Sequence, residues 1–253
     1  LSSTLPRVLG WLLFVAAIWG AMRALRRRRP EDVVILLFLI PFFALVASVR
    51  FTLPRYVLPI VPLLVVLGVE ATDRGVERWF KGRGRTILSV VTVVMLLVPG
   101  LRDSVHFNRL AARLDTRVQA TNWIKQNVRP QTHVVLCKGY GIPLVNEDRR
   151  RPPAFRVQEK DWFTGDTEVP SVAEFLVTHE HRQLTSYSRL HPNLSGWLAD
   201  HAKLVATFDP YRSESERQPF FHVADAFYLP FEGFEALERG GPIVKVWALA
   251  ASR

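Results

Sequence analysis

Four apolar runs, at residues 8–25, 33–49, 53–69 and 86–101, fill most of the first hundred positions of this 253-residue chain. Each is near the lower end of the ~17–25 residues that cross ~30 Å of hydrocarbon. Helices buried in a water-soluble core could be as apolar, but they have no need of basic clusters between them. Here the first loop carries Arg23, Arg26, Arg27, Arg28 and Arg29, and the third carries Arg74, Arg78, Lys81, Arg83 and Arg85. The second loop has only Arg50 and Arg55, and the amino end only Arg7. Crowded and sparse loops that alternate mark a polytopic membrane protein, with the crowded loops in the cytoplasm. Both ends of a four-span unit then face outward, and everything after Leu101 is extracytoplasmic.

The charge balance supports that division. Residues 1–100 hold 13 Lys+Arg against 5 Asp+Glu, so most of the net charge of +10 sits in the apolar part. A nucleic-acid-binding protein would carry it on a polar, folded surface, and that class is set aside. The single cysteine, Cys137, excludes an intrachain disulfide and any multi-cysteine metal centre. The run after Arg7 ends in Arg26–Arg29 where a secretory signal would have its cleavage site. The chain is therefore expected to be a piece of a longer protein.

The second loop, Arg50-Phe51-Thr52-Leu53-Pro54-Arg55-Tyr56-Val57-Leu58-Pro59, feeds straight into the third span. Pro54, Pro59 and Pro62 tighten or interrupt the start of that helix. Its two arginines and its tyrosine admit two roles. Guanidinium matches phosphate oxygens bidentately, so they could grip a lipid phosphate. Arg and Tyr also anchor spans at the membrane surface without binding anything specific, and spacing alone favours that role.

Beyond Pro99-Gly100 the pattern changes to that of a water-soluble domain. Apolar residues from Val105 to Ile124 recur at helical spacing, which predicts one helix from Asp103 to about Val128, stopped by Arg129-Pro130. Strands are predicted at 133–137, 174–178, 203–208 and 243–249, with a helix near 193–201. Gly139, Gly141 and Pro143 read as a turn, and residues 146–170 and 210–222 as surface loops. Such a succession makes a small α/β or α+β domain with one core.

This domain shows no self-sufficient active site. His179-Glu180-His181, with His191 and His201 further on, fits no zinc spacing and reads as loop or surface histidine. Asp161, Asp166 and Glu168 read as solvated loop carboxylates, and Cys137 as a buried, inert thiol. There is no nucleophile elbow, phosphate-binding glycine loop or dinucleotide fingerprint.

The layout nevertheless resembles a known family. Arg55, Tyr56, Leu58, Pro59 and Pro62, entering a span from outside, resemble the late membrane helices of GT-C fold glycosyltransferases. The nearest kinds are the protein O-mannosyltransferase and lipid A aminoarabinose transferase types, that is, glycosyltransferase family 39-like proteins. Asp115-Thr116-Arg117, Ala120, Trp123-Ile124 and Asn127 resemble the amphipathic helix after their last span. Tyr228, Pro230 and Phe231, with Gly241-Pro242-Ile243-Val244-Lys245-Val246-Trp247, resemble the close of their periplasmic domain.

The resemblance implies four final spans (1–101) of a GT-C type membrane bundle and an extracytoplasmic α/β domain (102–253), in a bacterial inner or plasma membrane. It implies transfer of a sugar from a polyprenyl-phosphate donor to an extracytoplasmic acceptor, whether protein, lipid or glycan. Arg55 and Tyr56, and with them Arg50, would hold the donor phosphate. The catalytic acidic residue of that family, which acts as base or positions a metal or acceptor, lies in a loop upstream of Leu1. No catalytic residue and no ligand for a divalent metal is therefore assigned here, and this piece alone is expected to be inactive. Two other classes stand beside this one. A non-enzymatic membrane anchor could display a binding or assembly domain, and the spans could belong to a transporter. The lack of any acidic residue inside a span, Glu70 being terminal, weighs against an ion relay.

Overall fold

The structure is a computed structural model that describes residues 4–49, 54–137, 142, 144, 154–161, 168–184, 190–212, 218–223 and 227–249. It divides into two compact units, Leu1–His106 and Phe107–Arg253.

The first unit is helical. α1 (Thr4–Leu9) and α2 (Trp11–Arg27) are separated at Gly10, whose φ of 77° suits glycine and breaks the ladder. α3 (Pro30–Ser48) comes next with Pro30 at its first position, where the missing N–H has no partner to lose. A 3₁₀ turn (Pro54–Ile60) leads into α4 (Val61–Trp79), and α5 (Arg83–Ala111) closes the run. Among the described residues three helical stretches are long and apolar enough to cross a membrane: α3, Arg55–Arg78, and the one that begins at Arg83 with α5. The first apolar run falls short of that length because Gly10 splits it, leaving α2 with 17 residues and about 25 Å of rise. Large apolar side chains such as Val34, Leu37, Ile40, Ile87 and Met95 are exposed, as lipid-facing positions of spans are.

α2 and α4 pack most closely. The buried face of α2 is Leu13, Ala17, Gly20 and Ala24, spaced four, three and four apart, and it meets Leu67, Gly68 and Ala71 of α4. A Cβ on Gly20 would overlap the Leu67 carbonyl, and one on Gly68 would press on the Ala17 backbone nitrogen at 3.2 Å. Small residues let two backbones come together where no water drives them.

The second unit holds α6 (Thr116–Asn127), α7 (Pro192–His201) and five strands: β1 (His133–Cys137), β2 (Arg156–Lys160), β3 (Phe175–Glu180), β4 (Ala202–Phe208) and β5 (Ile243–Leu249). Their order is β2-β1-β3-β5-β4. β1 runs parallel to β2 and β3, and β5 runs antiparallel to β3 and β4. Successive strand residues face opposite ways, and the inner strands β1 and β3 are buried on both faces while the edge strands β2 and β4 are largely exposed. Val134, Leu136, Val177, Val244 and Val246 pack with Ala120 and Ile124 of α6 and with Val128 at its C-terminal cap. Val135, Cys137 and Leu176 pack with Leu194 and Leu198 of α7.

Three expectations change. The helix expected over 103–128 is the end of α5, a break at 112–115 and then α6. Pro99 and Gly100 do not stop α5, since a proline forfeits one ladder bond and the apolar face continues past it. The break comes at Asp115, whose side chain accepts from the Arg117 N–H and starts α6 afresh. Inside the expected loop 146–170 lies β2, whose Arg-Val-Gln-Glu-Lys is too polar to read as a strand but pairs at the sheet edge with one face in solvent. The turn residues Gly139, Gly141 and Pro143 lie outside the described residues.

Candidate functional site

Arg55 and Tyr56 lie on the 3₁₀ turn that leads into α4. With three residues per turn, Val57 and Ile60 share one face, and both are fully buried. Arg55, Tyr56 and Leu58 lie on the exposed remainder. Pro59 removes one backbone donor and Pro62 stands in the first turn of α4, which keeps the segment tight until the α-helix takes over. Arg50 lies outside the described residues, so the structure brings together two of the three residues singled out for a phosphate.

The buried side of this turn borders a groove of about 440 Å³. Ile60 and Leu64 line it with Phe14, Ala17 and Ile18 of α2 and Leu39, Ile40 and Phe43 of α3. Its lining is almost wholly apolar. At ~2 Å rise per residue, Arg55 lies about 10 Å along the turn axis from Ile60. Arg55 and Tyr56 are thus exposed on a turn whose buried face borders an apolar groove, and neither lines that groove.

The other end of the helical unit is charged. Arg27 donates to Glu70 at 3.2 Å, and Arg74, one turn further along α4, pairs with the same carboxylate. Asp73 accepts from Ser89 at 2.7 Å and from Arg85 at 3.4 Å, which holds α5 to α4. Sequence reading placed these arginines in loops and assigned their carboxylate partners no role.

In the second unit the segment Asp115-Thr116-Arg117 acts as a clasp. Thr116, fully buried, donates its hydroxyl to the Pro242 carbonyl at 2.7 Å. Arg117 grips Asp115 bidentately at 2.9 and 2.8 Å and lies 4.4 Å from the Tyr228 ring centroid. That hydrogen-bonded pairing with Asp115 raises the pKa of the guanidinium. Of the motifs quoted for the family resemblance, those at Asp115–Arg117, Tyr228 and Gly241–Pro242 therefore meet here, in a structural role.

His179 of β3 and His181 just beyond it overturn their reading as surface groups. His179 is 2% exposed and His181 is 4% exposed. Period-two reasoning expects one of each strand pair in solvent, but β3 lies between β1 and β5 and is covered on both faces. Burial, with the Arg117 charge nearby, lowers the pKa of His179 to about 4. His181 accepts at Nδ1 from the Gln183 and Leu184 N–H groups at 3.1 and 3.0 Å, which puts its proton on Nε2. It sits against Phe221, Phe227 and Tyr228, and this burial lowers its pKa. His191 caps α7 and His201 stacks on Trp197 at 4.8 Å. Cys137 is buried. Among the described residues no group of three or more His, Cys, Asp and Glu could hold a metal. Asp161 is half-buried and Glu168 exposed, while Asp166 lies outside the described residues.

Compared with known protein families, curated proteins and solved structures, the chain matches none.

Proposed function

We propose that this chain is the C-terminal part of an integral-membrane, GT-C-like glycosyltransferase that uses a polyprenyl-phosphate sugar donor. The observation that supports it is that Arg55 and Tyr56 are exposed on the same 3₁₀ turn whose Ile60 lines an apolar groove. A polyprenyl chain would occupy the groove, and the donor phosphate would meet the exposed face of the turn. Four spans complete this reading. α2, although short, is flanked by Arg23 and Arg26–Arg29, whose stems reach from a span end to the surface. The basic loops then face the cytoplasm, and the turn and the second unit face outward.

In the reaction an acceptor oxygen attacks the anomeric carbon and the bond from that carbon to the phosphate oxygen breaks. The electron pair leaves with the polyprenyl phosphate, and the acceptor's proton passes to a base. That base is not among the residues of this chain. The role left to Arg55 is to stabilise charge that grows on the departing phosphate, where a fixed guanidinium in a poorly hydrated site is most effective. Tyr56 would add a hydroxyl donor.

The test is transfer of labelled sugar from polyprenyl phosphate by the full-length protein in nanodiscs. Arg55→Ala is expected to lower kcat about 100-fold or more, with Arg55→Lys intermediate. Full activity in Arg55→Ala would return the residue to interfacial anchoring. No transfer from any donor of a broad panel would favour the membrane-anchored display domain.

A further inference from the structure

Asp32 stands in the first turn of α3, at the end of a membrane-length apolar helix, yet it is 4% exposed. Its Oδ2 has no hydrogen-bond partner and it forms no ion pair among the described residues. The dipole of its own helix offsets part of the charge but supplies no donor to that oxygen. Burying a carboxylate oxygen without a partner is expensive, so the position calls for a donor from outside the chain.

A small cavity adjoins it, lined by Asp32 of α3, Gly20, Arg23, Ala24 and Arg27 of α2, and Leu67, Glu70 and Ala71 of α4. It has room for about one water-sized group and its lining is mostly polar. Arg27 is already committed to Glu70, which Arg74 also holds. Arg23 is not committed: among the described residues it forms no ion pair, and its guanidinium lies 6.0 Å from the Trp19 ring centroid. One cavity is thus bordered by an anion whose Oδ2 has no donor and by a cation that forms no ion pair among the described residues, and the two do not pair with each other.

A single water, donor to Asp32 and acceptor for Arg23, answers both hydrogen bonds but neither charge; a ligand that answers the charges as well carries both complements. It needs a cationic N–H donor no larger than a water for Asp32 and an anionic oxygen a few ångströms away for Arg23. The site lies where α3 meets the membrane surface, which is the depth of lipid head groups. We propose that this cavity binds the head group of phosphatidylethanolamine, its primary ammonium on Asp32 and its phosphate on Arg23. A choline head group fails on both size and chemistry, because its three methyl groups overfill the cavity and leave no N–H to donate. A phosphatidylglycerol head group satisfies Arg23 but leaves Asp32 facing another anion. This site is separate from the groove beside Arg55 and does not depend on the glycosyltransferase reading.

The experiment is native mass spectrometry of the delipidated full chain, titrated with lipids of identical acyl chains bearing ethanolamine, N-methyl-, N,N-dimethyl- or trimethyl-ethanolamine, or glycerol. Wild type is expected to bind the ethanolamine lipid about tenfold more tightly than the choline lipid, with a graded loss across the methyl series. Asp32→Asn is expected to abolish that preference, and Arg23→Gln to weaken all the phosphate lipids alike. Equal retention of the ethanolamine and choline lipids by wild type overturns the proposal, as does a preference that survives Asp32→Asn. Stronger binding of the glycerol lipid also overturns it, in favour of a plain basic patch. If Asp32→Asn does not fold, the methyl series on wild type still decides.

Discussion

The two units meet the same difficulty, the close approach of distant segments, with different chemistry. In the helical unit Gly20 lies against the Leu67 carbonyl and Gly68 against the backbone of Ala17, so the seam is made by removing side chains. In the sheet unit the tightest approach is at Gly241, where a Cβ would overlap the Thr116 hydroxyl, and what fills the space is polar. The difference comes from the surroundings. Lipid gives apolar side chains no incentive to pack with one another, so helices gain by dispersion at short backbone distance. The second unit has a sheet with buried inner strands and helices on both faces, and its polar clasp fixes where the entry to β5 lies against α6.

The largest effect should come from filling the helical seam. Gly20→Val is expected to cost about 3 kcal/mol or more, because both helices must separate to admit the side chain. Gly100→Ala, where nothing lies within 4 Å, is expected to be neutral or slightly stabilising. Thermal denaturation in detergent, tracked by loss of the monodisperse chromatographic peak, reads both. Equal stability of Gly20→Val and wild type would show that α2 and α4 are not held by backbone approach. In the second unit, Gly241→Ala should cost about 2 kcal/mol, since its φ of 112° disfavours a side chain and the Thr116 hydroxyl must move. Gly196→Ala on α7, which meets nothing, supplies the matching reference.

Much of this contrast was open to the sequence, but unevenly. The apolar runs, the basic loops and strands β1 and β5 are readable from pattern, because long periodic segments carry their own signal. The split at Gly10 did not show, since hydropathy counts residues and does not register one positive φ. β2 was hidden by its charge, and it forms only because β1 offers it an edge. The burial of His179 depends on the strand order, which places β3 between β1 and β5, and that of His181 on Phe221, Phe227 and Tyr228, distant in sequence. Glu70 read only as the end of a span, and Asp32 had no signal of its own, until α2, α3 and α4 came together around them. Arg55 and Tyr56 were legible as a pair, whereas the groove at Ile60 required three helices that lie apart in sequence.

Those two histidines make the second unit the acid-sensitive one. His179 titrates near 6.5 when unfolded and about 4 when folded, so between these values only the unfolded chain takes up the proton. Stability is then full above about pH 6.5 and falls by ~1.4 kcal/mol per pH unit as the pH drops toward 4. His181 works in the same direction, because a proton on Nδ1 would face the Gln183 and Leu184 N–H groups. From pH 7.5 to 5.5 His179 alone should remove about 1.4 kcal/mol, and His181 adds to that loss. Melting monitored through tryptophan fluorescence reads the loss, and His179→Gln should flatten the slope. An unchanged slope in that variant would place the acid sensitivity elsewhere.

The smallest effect separates two ion pairs that look alike on a contact map. Lys245 reaches Glu180 at 3.1 Å with both side chains about a third exposed, so water and salt screen the pair. Lys245→Met should change stability by less than about 0.5 kcal/mol, and added salt should not alter that. Glu70 is similarly exposed but is held by Arg27 and Arg74 together, beside Arg23 at the same small cavity. Removing it leaves three guanidinium groups without the carboxylate between them. Glu70→Gln should therefore cost more than Lys245→Met, about 1 kcal/mol, and raising the salt concentration should recover part of the loss. Equal effects in the two variants would mean that proximity to the bundle end adds nothing to an ion pair, and the contrast between the units would then rest on packing alone.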